Sequence, residues 1–107
     1  MKYTVHQINL SDDQFNAHRE TYLNTTFHPT DSAIIAARNL YAPVAVITAD
    51  SLDQVFNIGN IGPESKIKRL APMHSVSVGD VIVDAEGHAV YVSTFGFKPM
   101  GFNLFSS

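Results

Sequence analysis

Two runs rich in β-branched residues, Met73 to Val83 and Ala89 to Phe97, flank the polar segment Asp84-Ala85-Glu86-Gly87-His88. Valine and isoleucine at such density favour a pleated, half-buried surface. The segment between them supplies a chain reversal, with Asp84 and Glu86 in solvent and Gly87 free to take a positive φ. A β-hairpin is therefore the first constraint on this chain, and the expected fold contains an antiparallel sheet. That signal specifies a scaffold and no reaction.

Upstream, Lys2 to Leu10 alternates with one change of phase, which predicts a strand. Ser11-Asp12-Asp13-Gln14 reads as a capping box, and Phe15, His18 and Tyr22 then share a helical face to about Leu23. Asn24 to Pro29 breaks that helix, and another starts at Thr30 or Asp31 and runs towards Leu40. Tyr41 to Thr48 is apolar on both faces, as in a strand covered on both sides, with Pro43 at a sheet edge or entry point. A further capping box at Ser51-Leu52-Asp53-Gln54 opens a short helix that Asn57 to Asn60 ends, with Gly59 as the cap. Pro63 opens a last helix of one to two turns, Glu64 to Leu70, anchored by Ile67 and Leu70. The expected fold class is α+β: one domain over residues 1–107, a mostly antiparallel sheet, a C-terminal hairpin, three to four short helices and a tail over 101–107.

The 107 residues suffice for one core and leave no room for a second. With 45% hydrophobic and 16% charged residues the chain is apolar enough to fold unaided. No cysteine is present, so disulfides, thiolate chemistry and Cys-ligated zinc are excluded. No apolar run approaches the roughly 20 residues that span a bilayer. The N-terminus lacks a signal-peptide core, so a cytoplasmic protein without membrane association is expected. The net charge of −3 disfavours nonspecific nucleic-acid binding.

Residues with chemical potential are scattered. The five histidines, His6, His18, His28, His74 and His88, form no i, i+4 pair and no short metal-ligand spacing, so no metal is expected. His74, Ser75, Ser77 and Asp80 contain the side-chain types of a nucleophilic triad. On a continuous strand, however, the serines would face away from Asp80, and no nucleophile elbow is present. Gly79-Asp80 reads instead as a turn or bulge. Lys66, Lys68 and Arg69 form the one basic cluster; with His74 nearby they are candidates for an anion or phosphate contact. Asn60-Ile61-Gly62-Pro63 lacks the lysine and hydroxyl of a phosphate loop. Phe95 and Phe97 are expected in the core. Phe102 and Phe105 are candidate contacts for self-association or a partner if the tail leaves them exposed. No catalytic residue and no cofactor is assigned.

Ala49 to Asn60, the segment His74-Ser75-Val76-Ser77-Val78-Gly79-Asp80-Val81 and the closing Phe95-Gly96-Phe97 together resemble the YodL-like small proteins of bacteriophages, plasmids and conjugative elements. The resemblance spans about residues 49–97. It implies an accessory protein of a mobile element inside a bacterial cell, and carries over no catalytic residue. The expected function is binding of a host protein to modulate or inhibit a process such as defence or transcription. The alternative is a nucleic-acid-binding regulator that uses the cluster from Lys66 to Arg69.

Overall fold

A computed structural model of the chain describes residues 1–100 and 105. Six strands form one sheet, β1 (Lys2–Ile8), β2 (Tyr41–Thr48), β3 (Ile67–Arg69), β4 (Val81–Val83), β5 (Ala89–Ser93) and β6 (Gly96–Pro99). Their order is β3-β2-β1-β4-β5-β6 and every neighbouring pair is antiparallel. Among the described residues three α-helices complete the fold, α1 (Asp12–Phe27), α2 (Asp31–Ala36) and α3 (Leu52–Ile61). The architecture is a single α+β domain, as its sequence predicts.

Alternation along β1 sets the two layers. Tyr3 and Val5 join one core with Ala45, Ile47, Val55 of α3, Val76 and Ile82. Ile8 faces the other way, into a core with Ile34 of α2, Tyr41, Val81 and Tyr91. The sheet is thus buried on both faces over much of its area, which explains the apolar character of β2 on both sides. Pro43 lies at the entry of that strand, opposite His6 and beside a register shift between Val5 and His6, where β3 does not reach.

The helix starts follow the capping chemistry. Ser11 Oγ accepts from Gln14 N–H and Gln14 Oε1 accepts from Ser11 N–H, a closed capping box. At α3, Ser51 Oγ accepts from Gln54 N–H, while Gln54 reaches one residue further back, to Asp50 N–H. The helix ends differ from expectation. α1 kinks at His18 but continues to Phe27, because Thr25 packs in the interior, its hydroxyl donating to the Tyr22 carbonyl. α3 runs through Gly59 and ends at Gly62, which takes φ 97°. Gly59 is an internal contact instead: a Cβ there would lie 2.3 Å from Val76 Cγ2.

The expected helix from Glu64 to Leu70 does not form. A short 3-10 turn, Glu64–Lys66, leads into β3, where Ile67 packs on the core beside Ile47 of β2. The open edge of β2 offered a ladder to a segment too short to hold itself as a helix. The run from Met73 to Val83 is also not one strand. Only Val81–Val83 forms a strand, and residues 70–80 are an irregular strap that inserts Val76 into the core. The strap is tied at its start to the Val44 carbonyl by Leu70 N–H, and at its end to Val92 of β5 by Gly79 N–H and the Asp80 carbonyl. Gly79 at φ 94° turns the strap into β4, so the expected turn at Gly79-Asp80 is present. The hairpin at Asp84 to His88 forms with Gly87 at φ 88°, and Asp84 Oδ1 accepts from Glu86 and His88 N–H. The following run splits into β5 and β6 around a second turn at Thr94-Phe95. Among the described residues no helix is long and apolar enough to cross a membrane.

Candidate functional site

The strap is held by one buried polar cluster. Gln7 on β1 is fully buried, and its amide Nε2 donates to the His74 carbonyl at 2.9 Å and to Asp80 Oδ2 at 3.0 Å. Its Oε1 accepts from His74 N–H at 3.2 Å. Asp80 Oδ2 also accepts from Ser77 N–H at 2.9 Å, and the Tyr41 hydroxyl donates to the Gly79 carbonyl. Burial pushes the Asp80 carboxyl up to about 6, opposed by the N–H groups of Ser77 and Gln7 and the neighbouring His74. Burial, reinforced by the nearby Asp80, also raises the Tyr41 hydroxyl well above its ordinary value.

Ser77 and Asp80 therefore do not face apart as they would on a strand. The turn brings them together, but through the serine backbone and not its hydroxyl. His74 Nδ1 lies 2.8 Å from the carbonyl of Ser75, its own neighbour. The crevice bounded by Thr25, His74, Ser77 and Asp80 holds about 30 Å³, room for water and little else. What this cluster can do chemically is pin the strap to the sheet.

The basic residues divide into two groups. Arg69 forks onto Glu64, with Nη2 to Oε1 at 2.5 Å and Nε to Oε2 at 3.3 Å, and this pairing holds the Glu64 carboxyl below its usual value. Lys66 ends the 3-10 turn and Lys68 lies on β3; neither has an acidic partner among the described residues. Lys66 and Arg69 are not helical neighbours as expected. Arg69 and His74 do line one cleft of about 220 Å³ with Asn60, Ile61 and Gly62 at the end of α3. Lys2, which sequence reasoning left out, belongs with Lys68. It lies opposite Thr48, two residues from Val46, and Val46 lies opposite Lys68, so the two lysines share a sheet face.

The aromatic residues are distributed against expectation. Phe105 stacks on His6 with ring centroids 4.1 Å apart and lies 5.7 Å from Tyr41, so it is a packed residue and no free anchor. Burial lowers His6 to a pKa of about 4. Phe102 lies outside the described residues. Phe97 packs against the core as expected, but Phe95 does not: it is 97% exposed at the β5–β6 turn. Phe27, 64% exposed, lines a shallow groove of about 290 Å³ with Pro29, Phe95 and Lys98. A second groove, of about 490 Å³, runs between Phe56 and Phe97 on the other side of the same turn. The signal for this rim was Gly96: at φ 124° it turns the chain back and leaves Phe95 at the tip.

Among the described residues no group of three His, Asp or Glu side chains is placed to hold a metal ion. Comparison of the chain with models of known families, with curated proteins and with solved structures finds no match.

Proposed function

We propose that this protein works by binding another protein, and that the aromatic rim formed by Phe27, Phe56 and Phe95 is its docking surface. The observation that carries this reading is Phe95, a large apolar side chain left almost wholly in water on the tip of a hairpin, with Phe27 and Pro29 beside it. Aromatic side chains on rigid elements are the usual anchors of protein interfaces, because they bury much area for little lost side-chain entropy. A binding role is further supported by the engagement of the Asp80 carboxylate in holding the strap, beside a crevice of only about 30 Å³.

The partner we propose is a host protein of a bacterial cell. The protein is then a phage- or mobile-element-encoded accessory factor that acts in the cytoplasm and modulates or inhibits a process such as defence or transcription. The resemblance to the YodL-like proteins supports that context. A tagged form drawn through nuclease-treated bacterial lysate is expected to retain one stoichiometric protein, and to lose it when Phe27 and Phe95 become alanine. Equal recovery by the double variant, or recovery abolished by nuclease in the unaltered protein, overturns the reading.

A further inference from the structure

The geometry points to a second docking surface at the opposite edge of the sheet, where β3 accepts an extended acidic segment of a partner protein as a seventh strand. The two edges are not equivalent. Leu70 N–H donates to the Val44 carbonyl at 2.9 Å, next to the β3 pairs Arg69 with Ala45 and Lys68 with Val46. In an antiparallel ladder bonded and non-bonded pairs alternate, so the N–H and C=O groups of Ile67 and Arg69 point away from β2 to the open side. At the other edge, Met100 N–H donates to the Ala89 carbonyl, next to Pro99 opposite Val90. The same alternation turns the backbone groups of Phe97 and Pro99 outward there, and proline has no N–H to offer. β6 is blunted and β3 is open.

Charge selects the occupant. Lys68 stands on the edge strand itself, Lys2 shares its face from β1 on the far side of β2, Lys66 immediately precedes β3, and all three lack an acidic partner among the described residues. On the other face Arg69 is bound to an exposed Glu64, a pair that an incoming carboxylate can exchange at little cost. A second copy of β3 would set lysine against lysine, so the edge repels itself and attracts an acidic strand. Ile61, 86% exposed, and the half-exposed Leu70 flank the edge and offer apolar contact to alternate side chains of such a segment. Nucleic acid is a poorer fit. The lysines number three, and the exposed Phe95 that could stack bases lies at the far edge of the sheet. This surface is distinct from the aromatic rim, so failure of either leaves the other standing.

The test is a titration of ¹⁵N-labelled protein with a capped peptide of about seven residues alternating valine and glutamate, a length matched to a typical strand. Expected are shifts along β3 and slowed amide exchange at Ile67 and Arg69. Arg69→Pro removes the outward N–H together with the guanidinium that pairs with Glu64, and binds about tenfold more weakly than Arg69→Ala, which removes the guanidinium alone; that factor is the scale of one lost hydrogen bond. Lys68→Glu abolishes binding and provides the check if the proline variant fails to fold. The proposal is overturned if the peptide does not bind, if the exchange rates of Ile67 and Arg69 are unchanged, or if a valine–lysine peptide binds equally well. It is equally overturned if oligothymidylate binds more tightly than the peptide and is indifferent to Arg69→Pro.

Discussion

His6 and Asp80 are buried titratable side chains, and burial moves them in opposite directions. His6 falls from 6.5 to about 4, so between those values the folded state holds fewer protons than the unfolded one, and its stability contribution is lost as pH falls. Asp80 rises from 3.8 to about 6, so the folded state holds more protons there, and its contribution is full at low pH and lost as pH rises. The two slopes oppose each other from about pH 4 to pH 6. Urea unfolding across that window is expected to show a shallow profile in the unaltered protein. With Asp80→Asn stability should rise with pH, and with His6→Phe it should fall. A D80N profile as flat as that of the parent would show that the carboxyl does not titrate in this window. Little of this was legible in the sequence, because the bonds from Gln7 to His74 and Asp80 join residues 67 and 73 positions apart. The local bonds of Ser11, Gln14 and Asp84 span two to four residues, and these the sequence does disclose.

At the level of elements, α3 shows how a local rule loses to a tertiary one. A glycine near the end of an amphipathic helix reads as its cap, yet Gly59 is helical and the cap is Gly62. Only the position of Val76, on a strap seventeen residues later in the chain, explains Gly59. Two terms compete in Gly59→Ala. Alanine gains about 1 kcal/mol of helix propensity over glycine. The new Cβ, 2.3 Å from Val76 Cγ2, forces repacking that costs about 1–3 kcal/mol. The packing cost wins, and the variant is expected to lose stability in chemical denaturation, with recovery when Val76→Ala makes room. A more stable single variant would contradict this contact. β3 carries the same lesson: the i, i+3 spacing of Ile67 and Leu70 favours a helix locally, and the unpaired edge of β2 captures the segment as a strand.

The whole molecule is a sheet with two dissimilar ends, and this is where sequence reasoning reached least far. Fold class and the β4–β5 hairpin were legible because they follow from periodicity and turn chemistry. The strand order was not, since β3 joins the far side of β2 only after α3 has crossed the sheet. Exposure of Phe95 was hidden for a related reason, as it depends on where the second apolar run folds back. The separation of the ends yields a prediction of its own. Perturbations at distant sites with no shared partners combine additively, to within about 0.5 kcal/mol. Alanine at Phe27 and Phe95 should therefore leave the affinity of β3 for the acidic peptide unchanged, and Arg69→Pro should leave recovery of the lysate partner unchanged. The phenylalanine variant should unfold within about 0.5 kcal/mol of the parent, the usual range for surface substitutions, and Arg69→Pro enters the comparison where circular dichroism shows it folded. If instead each variant weakens both interactions while remaining folded, one partner spans both ends. The rim and the edge would then be parts of a single interface wrapped around the sheet.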